Sequence, residues 1–352
     1  MKIVALYFEN IDLFLEHCGN HPSDYVLLVA SNTQLDLKKF NHVNVNVYGA
    51  LFPQIIFNKT LYDTGLIAIE INSSMNVHFI KSMQENSLLE RNFQNVKSVI
   101  AVIEGLSQHS EEFLQELFEK IDIDTNIIGG GAGVKGETSK AVIFDKEKFY
   151  HDGAILIALI HNITLGVQHG WSYLQGPFIV TESEKNIVKK IDYKPAFEVY
   201  KEVIEKDCGI EINEQNVADV LNNYPLGVLK YEGEQIVREP ISVSNGELVL
   251  VGNITNNALV NVLKGKNRHL LNAVKVASND ALKENCELVI VFDCTTRENF
   301  LEEKFEEELD IIFKKAKSST LIGAVTLGEI ANDGNRYIHF LNKTCVIGGI
   351  CF

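Results

Sequence analysis

Cys294 and Arg297 sit where an apolar stretch, Leu288 to Phe292, runs through Asp293-Cys294-Thr295-Thr296-Arg297 into an amphipathic segment. A thiol and a guanidinium at a helix N-terminus would meet unpaired N–H groups and the positive end of the macrodipole, a setting that favours an anion. The same setting would activate Cys294 as a nucleophile with His339 as base. A cysteine that closes a strand is otherwise an inert core residue. Downstream, Gly323-Ala324-Val325-Thr326-Leu327-Gly328-Glu329-Ile330 places a hydroxyl and a carboxylate around two glycines in an apolar stretch. A buried carboxylate needs a partner, and either Arg297 or the ammonium group of a ligand would serve. Asn342 and Thr344 share strand parity, whereas His339 points the other way unless a turn intervenes. Arg297 for a carboxylate and Glu329 for an amine together suit a zwitterion such as an amino acid. The alternative is an ion pair between the two.

Charge narrows the partners. The formal net charge of -15 disfavours broad contact with nucleic-acid phosphate or an anionic membrane, while a small anion needs only one or two arginines. Arg91 is the sole arginine before position 238, and Arg238, Arg268, Arg297 and Arg336 follow it. Lysine supplies the general surface charge, so these arginines are candidates for bidentate contacts, the alternative being that some merely pair with nearby acids, as Arg238 could with Glu239.

Other motifs weigh less. Gly131-Ala132-Gly133-Val134-Lys135-Gly136 spells G-x-G-x-x-G, but Ala141 to Phe144 after it reads as strand where a dinucleotide fingerprint needs a helix. Gly130, Gly131 and Gly133 therefore form either a tight turn or a ligand-lining loop. His169-Gly170-Trp171 carries the single tryptophan, read as a core-closing aromatic or a secondary ligand contact. The histidines have no carboxylate or thiol at ligand spacing, so neither a metal nor a cofactor is expected. The six cysteines form no C-x-x-C pair, the N-terminal apolar stretch is too short for a leader, and no apolar run reaches about 18 residues. Free thiols in a reducing cytoplasm are expected.

These residues must be positioned by alternating strands and helices. Leu301, Phe305, Leu309, Ile312, Phe313 and Ala316 share a helix face, Thr295 and Glu298 fit a capping box, and the acids from Glu302 to Glu308 read as a solvated face. Helices are also expected over Ser110 to Ile121, Pro195 to Lys206 and Leu270 to Lys283. Three times an apolar strand is expected to end in a glycine-bearing turn, at Val45 to Gly49, Asn126 to Gly131 and Leu321 to Gly323. Asp63-Thr64-Gly65 and His151-Asp152-Gly153 follow the first two, each ahead of a buried strand. The fold class expected is α/β (α+β): two lobes of mixed β-sheets with packed helices, loosely repeated, divided near Asp192 into domains 1–192 and 193–352.

Taken in order, several stretches resemble the FIST proteins. They are Val102-Ile103-Glu104-Gly105-Leu106, Ile127 to Gly133, Asp152-Gly153-Ala154, His169-Gly170-Trp171, Cys294-x-x-Arg297, Thr326-x-Gly328-Glu329 and Asn342-x-Thr344. The resemblance runs from about Leu27 onward and implies a FIST N-type and a FIST C-type domain, a cytoplasmic sensory role and a small ligand such as an amino acid. It also implies a separate output partner. Ligand contacts are expected from Cys294, Arg297, Gly323, Thr326, Gly328, Glu329, Asn342 and Thr344, with Gly130, Gly131, Gly133, His169, Trp171 and Arg238 secondary. The chain departs from the pattern at Gly49-Ala50-Leu51-Phe52, which lacks the Cys or Thr that relatives tend to have beside the glycine. A thiol-dependent enzyme using Cys294 and a protein-interaction module are the alternatives.

Overall fold

The computed structural model describes residues 3–84, 87–137, 140–213, 215–230, 235–283, 285–332 and 337–351. Arg336 lies outside them. Mixed sheets with packed helices are present, as the alternating pattern predicts.

Three parallel strand pairs form the skeleton: Tyr25–Ala30 with Val47–Phe52, Ser98–Glu104 with Asn126–Ala132, and Leu288–Cys294 with Thr320–Thr326. A parallel pair needs a crossover connection, supplied by a 3-10 segment (Leu37–His42), a helix (Ser110–Lys120) and a broken helical stretch (295–316) respectively. Their residues are apolar almost without alternation because both faces are covered; every residue of Leu288–Cys294 is buried.

Around each pair the chain repeats one plan. An antiparallel strand flanks the first member of the pair: Leu66–Glu70, Ala154–Leu159 and Cys345–Ile350. Between pair and flank lies a hairpin that leaves for another sheet. Gln54–Phe57 pairs with Thr320–Thr326, Ile143–Asp145 with Val47–Phe52, and Glu329–Asn332 with Asn126–Ala132. The three six-stranded sheets are thereby stitched in a ring, each completed by strands from the other repeats.

One glycine recurs at the same place in all three. Gly49, Gly129 and Gly323 pair with Leu27, Ala101 and Val291, and a Cβ would fall 1.9 Å from the Ala101 carbonyl oxygen or 2.0 Å from that of Val291. The close approach of backbones, not a turn, requires glycine at Gly129 and Gly323, whereas a Cβ at Gly49 would meet the Phe144 ring at 2.3 Å. Gly323, expected in a pocket-shaping turn, lies mid-strand. Gly130, Gly131 and Gly133 likewise belong to or follow a strand rather than a tight turn: Gly131 exchanges backbone bonds with Leu327 and Gly328, and a Cβ on Gly130 would meet Thr326 at 2.5 Å. No helix opens after them, in keeping with the rejection of the dinucleotide motif.

The third repeat carries an insertion. Ser172–Glu184, Ile187–Ile191, Leu226–Val228, Ile236–Ser244, Glu247–Val251 and Leu259–Lys264 close into an antiparallel barrel, because the first and second of these pair with each other as well as with their outer neighbours. The long strands Ser172–Glu184 and Ile236–Ser244 bend through register shifts, the usual device for turning a barrel corner. Helix Ala196–Cys208, ended by Gly209 at φ 71°, packs Phe197, Tyr200, Val203 and Ile204 into the barrel's own core. The molecule thus has two lobes, a three-sheet body and a barrel of residues 172–264. Strand pairing crosses position 192 rather than dividing there.

Candidate functional site

At the carboxyl end of Leu288–Cys294 the expected single helix is two. Thr295–Leu301 stops where Glu302 takes φ 51°, and Phe305–Ala316 restarts after a 3-10 turn. No side chain caps the first piece, so the Thr295–Glu298 capping box does not form. With only two turns and an N-terminal amide, Cys294 N, held by Asp293 Oδ1 at 2.9 Å, this end is not the open anion site expected.

Arg297 is wholly buried and already occupied. Nε and Nη2 donate to Glu308 at 2.7 and 2.9 Å, Nη1 to the carbonyl of His169 at 2.5 Å, Nη2 to that of Leu270 at 2.9 Å, and Asp293 lies at 3.5 Å. Burial opposes its charge, but Glu308 and Asp293 outweigh that and raise its pKa. Burial, then the charge of Glu308, pushes the Asp293 carboxyl well up. Oxygen and sulfur atoms of Asp293, Glu308 and Cys345 lie within 4.8 Å of one another, a metal-like grouping in which the guanidinium is the cation. The bidentate partner missed in the sequence is Glu308, buried although it belongs to the acidic run read as solvated.

Glu329 is likewise buried and does not meet Arg297 among its contacts. Its Oε1 accepts from Thr326 Oγ1 at 2.9 Å and its Oε2 from Thr344 N at 3.1 Å. Burial pushes it up to about 8, so at neutral pH it is largely protonated. Cys294, beside it, bonds Thr296 Oγ1 at 3.1 Å, and burial raises the thiol far above its ordinary pKa, reinforced by Glu329 and Glu239. A thiol in this state is a poor nucleophile. His339 lies on Ile338–Leu341 opposite Ala331, two residues along from the Leu341 that faces Glu329.

The cation of the site is Lys343, which the sequence reading passed over. Its side chain is fully buried with Nζ 2.9 Å from Glu239 Oε1, 2.5 Å from Asn222 Oδ1, 3.2 Å from the Asn222 carbonyl and 4.9 Å from the Trp171 ring centroid. Glu239 Oε2 accepts from Thr296 Oγ1 at 3.0 Å, which joins the lysine to Cys294 and, through it, to Glu329. Trp171 fills a core position and also donates Nε1–H to the Lys343 carbonyl. Asn342 is buried with Nδ2 on the Leu341 carbonyl, and Thr344 Oγ1 donates to the Asn342 carbonyl. Asn342 Oδ1 has no hydrogen-bond partner among the described residues. Gly328 makes the turn into Glu329 at φ 101°.

The secondary candidates disperse. Burial, with the Arg297 charge, takes His169 down to about 3, and its Nδ1 accepts from Trp171 N. Arg238 does not pair with Glu239; it bonds the carbonyls of Asn253 and Phe340 and lies 3.5 Å from Glu111. Cavities of about 350 and 190 Å³ sit elsewhere, both lined by Asn92 and Gln94. The expectation of six free thiols fails at Cys286 and Cys351, which form a disulfide; Cys18, Cys208, Cys294 and Cys345 are free.

A signal for Lys343 existed. Asn342-Lys343-Thr344 precedes the flanking strand Cys345–Ile350 as His151-Asp152-Gly153 precedes Ala154–Leu159, and both Lys343 and Asp152 adopt positive φ. In the second repeat Asp152 N donates to Glu104, whose place in the strand matches that of Cys294.

The order of these segments decides the family. A FIST N domain model matches residues 25–194 and a FIST C domain model residues 196–332. The chain belongs to the FIST family. Among curated proteins no relative matches it. FIST domains are sensory domains of signal transduction, so this chain carries a sensory module in two matched segments. The seam between the FIST segments at 194–196 falls inside the barrel lobe, whose first strands belong to one segment and the rest to the other. No helix among the described residues of this FIST protein is long and apolar enough to cross a membrane.

Proposed function

We propose that this FIST protein senses a small polar metabolite, an amino acid being the preferred class, in the seam between the barrel and the carboxyl ends of Leu288–Cys294 and Thr320–Thr326. The observation that carries the reading is the polar chain Lys343–Glu239–Thr296–Cys294–Glu329, to which barrel and body both contribute. Carboxyl ends of parallel strands are the usual binding edge of α/β folds. Buried charges are costly as fold stabilisers and are better suited to marking a switch.

The roles differ from those expected in the sequence. Arg297 is committed to Glu308, so a ligand carboxylate would face the Thr296 hydroxyl and the protonated Glu329. Glu239 would take the ammonium group. A thermal-shift screen of amino acids and organic acids tests this, since a ligand at about 100 times its Kd adds about 2.7 kcal/mol of stability. Glu239→Gln should abolish the shift. A library without hits, or a hit unchanged in Glu239→Gln, defeats the proposal.

The reading has this FIST protein pass its signal to a separate partner. A thiol-dependent enzyme gains nothing from the geometry, in which burial holds Cys294 protonated.

A further inference from the structure

Lys343 occupies what is built as a receptor for a primary ammonium group. Three hydrogen-bond acceptors surround Nζ, namely Glu239 Oε1, Asn222 Oδ1 and the Asn222 carbonyl, and the face of Trp171 closes the fourth side at 4.9 Å. Three acceptors match the three N–H bonds of a primary ammonium, and an aromatic face is the standard complement for the remaining side of a cation. Glu239 and Asn222 belong to the barrel lobe and Trp171 to its entry, whereas Lys343 comes from the body. The seat is therefore on one lobe and its occupant on the other.

We infer that Lys343 is an internal ligand, and that a free primary ammonium compound competes with it for the seat formed by Trp171, Asn222 and Glu239. Displacement would break the Lys343 contacts that tie the barrel to the body. Arg238 bonding the Phe340 carbonyl, the Asn253 amide bonding Glu111 and Thr296 bonding Glu239 would remain as ties between the lobes. This rests on the sensory reading and gives it a ligand class and an output: occupancy of the seat is converted into separation of the lobes. The ligand must be a primary amine, because an alcohol brings no charge and a quaternary ammonium brings no donors to the three acceptors.

Chemical rescue tests the seat without knowledge of the natural ligand. Lys343→Ala removes the propylammonium end and leaves the seat intact. Its melting temperature should fall, and n-propylammonium chloride in the tens of millimolar should restore most of the loss. Neither 1-propanol nor tetramethylammonium should do so, and the rescue should vanish in Lys343→Ala/Glu239→Gln. Equal effects of all three additives, or none from propylammonium, overturn the inference.

Should the variant not fold, the wild-type chain decides. Added n-propylammonium should quicken amide exchange in Ile236–Ser244 while 1-propanol leaves it unchanged; no difference between them refutes the competition. The two readings fail separately. Rescue without any amino-acid hit leaves the seat and removes the amino acid, whereas a Glu239-dependent hit without rescue leaves the sensor and removes the internal ligand.

Discussion

Replacing Arg297 by methionine separates a structural guanidinium from a ligand-binding one. The side chain makes four hydrogen bonds to protein acceptors, two of them to the Glu308 carboxylate, and has no exposed surface. Each bond to a charged group is worth about 1.5–3 kcal/mol, but these act as one unit and do not add. The larger effect is what remains: Glu308 buried without its cation, Asp293 beside it, and the His169 and Leu270 carbonyls short of one donor each. Removing one member of a buried pair costs about 3–5 kcal/mol. With a urea m-value of about 3 kcal/mol/M, the midpoint of the body's unfolding should drop by roughly 1–1.7 M. The double variant Arg297→Met/Glu308→Leu removes both charges together and should recover much of the loss, as apolar replacements of whole buried pairs do. Equilibrium urea denaturation followed by tyrosine and tryptophan fluorescence measures both. A single variant with near wild-type stability that no longer responds to a ligand would refute this assignment and return Arg297 to the binding site.

Two further outcomes follow from the burial of Glu329 and Cys294. Glu329 has its folded pKa raised from the ordinary 4.5 to about 8, so between those values the folded state holds a proton that the unfolded state has released. Its contribution therefore weakens as pH rises from about 4.5 to about 8; melting curves across that range should show Glu329→Gln gaining on the wild type, and parallel profiles would contradict the burial argument. Cys294 should resist iodoacetamide near neutral pH until the protein unfolds, whereas half-exposed Cys208 is modified in the native state. Peptide mapping after a short pulse distinguishes them, and prompt labelling of Cys294 would revive the thiol chemistry.

The local elements were legible because they follow from short-range pattern. The unalternating runs Tyr25–Ala30, Ser98–Glu104 and Leu288–Cys294 announce strands covered on both faces, and Gly209 marks a helix end. The loose three-fold repetition of strand and glycine was visible as well, since each copy needs a position without a side chain, against a backbone carbonyl at Gly129 and Gly323 and against the Phe144 ring at Gly49. Glu302 was not readable as a break, because nothing in an acidic run announces a positive φ between two helical pieces that share one apolar face.

What the residues alone determined, then, is a FIST protein of strands and helices with its polar chemistry concentrated in the last sixty positions. Tertiary structure decided who meets whom. The ring of exchanged hairpins and the barrel inserted at 172–264 bring Glu239 to Lys343, and the broken helix brings Glu308 back onto Arg297. A charge in the sequence carries no sign of its partner, since the energy that pairs buried charges depends on separation in space and loss of water, and both are properties of the folded chain. The arginine chosen for scarcity became a structural cation, and a lysine marked in the sequence only by its place before the flanking strand became the centre of the site.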